Sequence, residues 1–201
     1  MSKRLLAAAI LAACASLAQA AEAPPAAQAL GGPLIKGVCL LSQEAVLQNA
    51  KAALAMDARL KQLKDQAQAE VDRSRAPVDA DLRALQADAA RTPAPPAADI
   101  EKRRAAIQAR YRTIQDLADL RNREIEATRL KAVGRLSSEM QPVLAAAYKA
   151  HGCGLLLSRT AVLAGNMGGD LTADVVKGLD ARIASMSFER ETLPPLAPAK
   201  P

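Results

Sequence analysis

Two long segments of helical pattern, separated by a cluster of prolines, constrain this chain more than any other feature. From Ser42 to Arg91, and again from Asp99 to His151, apolar residues recur at intervals of three and four, with charged residues between them. Such a narrow stripe is typical of a helix that packs along one partner helix. The sequence RTPAPPAAD at 91–99 contains three prolines, which end a helix and stiffen a turn.

The two segments are nearly equal in length, at 50 and 53 residues. Neither could bury its stripe alone, so we interpret the prolines as the tip of one domain and not as a linker between two. The sequence predicts an antiparallel helical hairpin with arms at 43–91 and 99–151 and a tip at 92–98, each arm about 75 Å long if straight. The predicted stripes are Leu60, Leu63, Ala67, Val71, Val78, Leu82, Leu85 and Ala89 in the first arm, and Ile100, Ile107, Ile114, Leu117, Ile125, Val133, Leu136, Met140, Val143 and Ala147 in the second.

A short apolar run lies at the outer end of each arm. IKGVCLL at 35–41 and CGLLLS at 153–158 are too short for stable helices and favour strands. Because the chain enters both in the same direction after a crossover, we predict that they pair in parallel. Thr172 could cap a further helix. The predicted fold is mostly α with a small β body at 35–42 and 152–186, in which the helical hairpin is rooted, so that residues 35–186 form a single domain.

The two termini have compositions of their own. Residues 1–20 carry Lys3 and Arg4, then an apolar run and a small-residue cleavage pattern, which predicts a bacterial secretory signal peptide. An alternative stays open, because the residues before Cys14 resemble a lipobox that would make this cysteine a lipid anchor. The Ala- and Pro-rich stretches at 21–34 and 187–201 predict a disordered leader and a disordered tail.

Cys39 and Cys153 are the two cysteines that remain after removal of the signal. In an oxidising compartment such a pair suggests a disulfide. Since each lies in or beside a predicted strand, a bridge would tie the two roots of the hairpin together. The alternative is that both are buried thiols that pack as small apolar side chains.

Basic residues are concentrated beyond the prolines. The formal net charge of the chain is +6 and would fall to +4 with loss of the signal, and residues 91–112 alone carry a local +4. This run is either a solvated helix face or a surface that attracts acidic clients and anionic membranes. Nucleic acid is a poor partner because the arms lack aromatic stacking platforms. The candidate contact residues are Lys102, Arg103, Arg104, Arg110 and Arg112.

No catalytic set can be assembled from the sequence. His151 is the only histidine, and its place near a predicted helix end suits a partner of the helix dipole. Together with Cys153 it provides two ligands, too few for a tetrahedral metal site. GNMGGD at 165–170 lacks the lysine of a phosphate loop. We therefore predict neither an enzyme nor a cofactor.

Three motifs, GVCLLSQEAVLQNAKAALA at 37–55, GCGLLLSRTAVL at 152–163 and GGDLTADVVKGLDARI at 168–183, resemble the Skp/OmpH family of periplasmic chaperones. The resemblance implies a homotrimer in the periplasm of a Gram-negative bacterium, whose three hairpins surround a cavity. It also implies an ATP-independent holdase that binds unfolded outer-membrane proteins and prevents their aggregation. The alternative is a structural coiled-coil envelope protein, lipid-anchored through Cys14, that binds no clients.

Overall fold

The computed structural model describes residues 31–195 of the chain. The predicted signal peptide, Cys14 and most of the predicted leader lie outside the described residues. In the described part, no helix combines the length and apolarity needed to cross a bilayer. The elements in chain order are β1 (Val38–Leu41), α1 (Gln43–Asn49), α2 (Lys51–Ala89), α3 (Ala97–Ala150), β2 (Leu155–Ser158) and α4 (Thr172–Arg182), with a 3₁₀ turn at Arg159–Ala161 before α4.

The small sheet consists of β1 and β2, which pair in parallel as predicted, from Val38 with Leu155 to Leu41 with Ser158. The other edge of β1 is bonded to the loop before α4, because the Leu40 amide donates to the Gly169 carbonyl at 2.9 Å. β1 is therefore largely buried, whereas β2 is mostly exposed although its sequence is LLLS. The fold is mostly helical with a small parallel sheet, and β2 forms the open edge of that sheet.

The first predicted arm is not one continuous helix. It is interrupted at Ala50, whose backbone is extended with φ −70° and ψ 133°. Before the break, the Ser42 hydroxyl caps α1 by accepting from the Ala45 amide at 3.1 Å. After it, the Lys51 amide donates to the Asp180 carboxylate of α4 at 2.7 Å. The cap that restarts the helix thus comes from a residue distant in sequence, which local pattern could not reveal.

The tip lies close to its predicted position. α2 continues through Pro77 and ends at Ala89, and α3 begins at Ala97, so the turn covers 90–96. Asp99, the first residue of the second predicted arm, does not cap α3. It lies in the first turn, after Pro96 in the cap position, where its negative charge still suits the helix dipole.

The apolar core is divided between the arm and the body. The cluster on the arm contains residues of the predicted stripes. Ala89, which we also predicted in the stripe of the first arm, is exposed. The cluster on the arm buries apolar surface between α2 and α3, which is the main stabilising contribution for helices of this kind. Its buried members are Val71, Val78, Leu85, Ile107 and Ile114. The larger body cluster includes Val46, Leu136, Met140, Leu171, Val175 and Leu179.

Gly178 allows α4 to lie close to α3. A Cβ added at this position would be 2.5 Å from Cγ1 of Val143, a β-branched side chain with one preferred rotamer in a helix. We expect Gly178→Ala to lower the free energy of unfolding by about 1–3 kcal/mol. Gly134→Ala is the control, because nothing lies within 4 Å of its added Cβ in the interior of α3. That change should raise stability by up to about 1 kcal/mol. Denaturant unfolding measures both, and equal effects would contradict this packing.

Candidate functional site

The five basic residues selected from the sequence lie on the first five turns of α3 and are all exposed. Three of them form ion pairs. Arg103 binds Asp88 and Arg104 binds Glu101, each at 2.8 Å, and Arg110 binds Asp81. Lys102 and Arg112 make no ion pair within residues 31–195. The candidate surface is therefore partly neutralised by acids.

Two of these arginines connect the helices of the arm, because Arg103 and Arg110 both reach acids on α2. The hydrogen bond from Arg103 holds the pKa of Asp88 below its usual range. Beside them, the Tyr111 hydroxyl donates to the Asp79 carboxylate at 2.5 Å, and this bond raises the pKa of Tyr111. Residues later in α3 contact residues earlier in α2. These contacts fix the register of the two helices near the tip.

Farther from the tip, the seam between the helices becomes polar. We predicted Ile125 in the stripe, but the structure buries Glu124 and Thr128, each 2% exposed. Arg121 Nη1 donates to Glu124 at 2.9 Å, and its Nε donates to Glu70 of α2 at 2.6 Å. We call Glu70, Arg121, Glu124, Thr128 and Arg190 the polar layer. The sequence carries a signal for two of these positions, because the spacing of seven from Ile107 and Ile114 continues to Arg121 and Thr128.

The charges of the polar layer are balanced. Arg190 Nε lies 3.2 Å from Glu124, and its Nη2 lies 3.0 Å from Glu70. Burial alone would raise the pKa of Glu70, but the hydrogen bonds from Arg121 and Arg190 hold it below the usual range. Two carboxylates therefore face two guanidinium groups, which is the condition under which charges are tolerated in a protein interior.

Arg190 belongs to a segment that we expected to be disordered. Residues 187–195 instead lie along the arm, and we call this segment the docked tail. Phe188 packs against the body cluster. Glu189 pairs with Arg59 at 2.9 Å, and Glu191 pairs with Lys131 at 2.7 Å. The composition of this segment did not predict its attachment to the arm, because the attachment depends on arm side chains that are distant in sequence.

The docked tail is attached largely through its backbone. The amides of Glu191 and Leu193 donate to the Thr128 hydroxyl at 2.8 Å and to the Glu124 carboxylate at 3.2 Å. The Phe188 carbonyl accepts from Arg59 Nε at 2.9 Å. Two longer bonds of 3.4 Å run from Arg135 to the Ser187 carbonyl and from Arg123 to the Pro194 carbonyl.

The root of the arm brings the two cysteines together. The sulfur atoms of Cys39 and Cys153 lie at bonding distance, with Cα atoms 5.8 Å apart. At the end of α3, His151 Nε2 lies 2.7 Å from an Asp174 carboxylate oxygen. Residues 31–195 contain no group of three or more His, Cys, Asp or Glu side chains placed to hold a metal ion.

Comparison with known proteins gives matches to a family model and to solved structures. The model of a family described as "Outer membrane protein (OmpH-like)" matches residues 37–179. A crystal structure of a candidate outer membrane chaperone (OmpH-like) from Caulobacter crescentus CB15 has a TM-score of 0.74 and 35% sequence identity. That match covers 83% of this chain and 96% of the other. A search of curated proteins gives no match. The docked tail lies beyond the part that the family model matches.

Proposed function

This chain belongs to the OmpH-like family, and on that basis we propose that it is an ATP-independent holdase chaperone of the periplasm. Its clients would be unfolded outer-membrane proteins, and its action would be to bind them reversibly and prevent their aggregation. Binding of this kind needs no catalytic step, because a ligand that prefers the unfolded state shifts the equilibrium by mass action.

The observation that carries this proposal is the arm itself. α2 and α3 contain 39 and 54 residues, so they extend for about 58 Å and 81 Å. The similar solved structure is that of a candidate chaperone, and it matches over almost its whole length. A long arm with a narrow apolar seam and many charges on its outer faces offers surface to clients of many sequences.

The body of one chain is incomplete, and we infer that three copies complete it. A two-stranded sheet is marginally stable alone, and the edge of β2 away from β1 has no strand partner among residues 31–195. Leu155 of β2 is 50% exposed, and Leu163, five residues after the end of β2, is 95% exposed. An open strand edge with apolar neighbours is a surface that other chains cover. The number three follows the family resemblance, and light scattering of the purified protein should give the mass of three chains.

We propose that the basic surface of α3 attracts clients and the anionic membrane surface where they are inserted. Five Gln substitutions would change the local charge of residues 91–112 from +4 to a slight negative value. We expect the association rate with an acidic unfolded β-barrel protein to fall about tenfold at low salt, with a weaker salt dependence. Stopped-flow fluorescence at several salt concentrations measures this. The substituted residues are Lys102, Arg103, Arg104, Arg110 and Arg112.

The control removes three exposed charges from the body and from the last turn of α3 instead, by Lys36→Gln, Lys149→Gln and Lys177→Gln. Its association rate and salt dependence should stay close to those of the unmodified protein. Slowing in proportion to the number of charges removed, five against three, would mean that overall charge, and not the surface near the tip, governs the encounter.

The second candidate function is a structural spacer of the cell envelope, anchored through Cys14. The long arm alone would serve either role. An aggregation assay separates them, because a spacer would leave the aggregation of a diluted, denatured β-barrel protein unchanged. Mass determination of the N-terminus of the exported protein would show whether Cys14 is retained and lipidated.

A further inference from the structure

The surface under the docked tail is built to hold an extended backbone. Arg59 on α2, with Glu124 and Thr128 on α3, donates to or accepts from main-chain groups of residues 188–193. Main-chain bonds are available from any polypeptide in an extended conformation, so they recognise shape and not sequence. This is the chemistry that a binding site for many different unfolded chains requires.

Two side-chain contacts add modest selectivity. Phe188 packs on the body cluster, and two residues later Arg190 reaches the carboxylates of Glu70 and Glu124. A suitable segment therefore has a large apolar side chain followed, two positions on, by a basic one. Beside the docked tail a cleft of about 380 Å³ remains against α3, with room for larger side chains.

Glu124 is a buried carboxylate through which this surface binds its present occupant. Its side chain is 2% exposed. One partner of its carboxylate, Arg121, belongs to the arm. The other two, the Arg190 side chain and the Leu193 amide, belong to the docked tail. Without the tail, its carboxylate would keep one partner in a partly apolar groove. Arg123 Nε is also buried with no hydrogen-bond partner within residues 31–195, so a donor is left at this end of the groove. A visiting chain could satisfy both groups.

We propose that this groove on the arm is a binding site for an extended segment of an unfolded client, and that the docked tail occupies it as an internal competitor. The inference rests on the proposed chaperone function and adds a site and a means of regulation to it. An empty chaperone would keep its groove covered by its own tail, and a client would displace the tail. The apparent dissociation constant for the client is raised by the inverse of the fraction of molecules in which the groove is free.

The test is a variant in which the docked tail binds the groove more weakly and the residues of the groove are unchanged. Glu191→Pro with Leu193→Pro removes the two amide donors that reach Thr128 and Glu124, without changing any residue of the arm. If the tail covers the groove in about nine molecules of ten, this variant should bind an unfolded β-barrel protein about tenfold more tightly. Thr192→Pro is the control, because the Thr192 amide makes no hydrogen bond in the described part of the chain and its side chain is exposed. It should bind like the unmodified protein.

A labelled peptide of residues 187–195, SFERETLPP, provides a second readout. It should bind the Glu191→Pro/Leu193→Pro variant more tightly than the unmodified protein, and an unfolded β-barrel protein should displace it. In the unmodified protein, addition of client should speed hydrogen exchange at the Glu191 and Leu193 amides. This measurement needs no substitution, so it stands even if the proline variant folds poorly.

The outcomes separate the two levels of the proposal. Client captured with equal affinity by all variants, with tail amides that stay protected, would overturn the competing-tail inference and leave the chaperone function standing. Failure of every variant to capture client would overturn the chaperone function together with it. Tighter capture by the proline variant, with displacement of the peptide, supports both.

Discussion

Replacement of the two cysteines at the root of the arm, Cys39→Ala with Cys153→Ala, should lower the free energy of unfolding by about 4 kcal/mol. We propose that these residues are bridged in the exported protein. The bridge would close a loop of 114 residues, and a loop of this size is worth about 4–5 kcal/mol on the chain-entropy model, before any strain is subtracted. Alanine keeps the buried Cys39 position apolar, so the loss should come mainly from the cross-link.

Reduction of the unmodified protein provides the control for this prediction. Denaturant unfolding with and without a reductant, at one protein concentration, should show nearly the same loss as the double substitution. If the unmodified protein unfolds at the same denaturant concentration in both conditions, the bridge does not stabilise the fold. Two reactive thiols in the denatured, unreduced protein would show that no bridge forms.

Substitution of Arg121 by leucine should lower the free energy of unfolding by about 3 kcal/mol. Arg121 lies in the polar layer between two carboxylates, and Glu124 is almost fully buried. Removal of one partner from a buried ion pair typically costs about 3–5 kcal/mol because it leaves a charge without compensation. We place the value at the lower end, since Arg190 still neutralises part of the charge and Arg121 itself is 23% exposed.

Arg129→Leu is the matched control for Arg121→Leu. It removes the same side chain from the same helix, but Arg129 and its partner Glu126 are both more than half exposed, and such a pair contributes little. We expect a loss of at most about 0.5 kcal/mol. Similar losses for the two variants, measured by denaturant unfolding, would mean that the polar layer makes no special contribution.

The arm could be predicted from the sequence because its determinants are local and periodic. Stripe positions such as Leu63, Val71 and Ile107 are buried as expected, and the prolines mark the turn within a few residues. The parallel pairing of the strands also followed from chain direction. Local pattern is sufficient wherever a residue's partner is set by a repeating spacing.

The parts that the sequence did not reveal depend on single partners far along the chain. The break at Ala50 depends on a cap from Asp180, and the order of the tail depends on Arg59, Glu124 and Thr128. From its neighbours in sequence, Glu124 is expected at the surface, because none of them shows that Arg190 will neutralise its buried charge. The candidate groove was therefore not predictable from the sequence, although the sequence contains each of its residues.

The mass of a complex shows whether the chain captures unfolded outer-membrane proteins. A denatured β-barrel protein would be diluted from urea into the chaperone without ATP, and native mass spectrometry would record the species that stay soluble. We predict a complex of three chains with one client. Free chaperone alongside aggregated client, with no mixed species at any ratio, would show that the chain is not a holdase for these proteins.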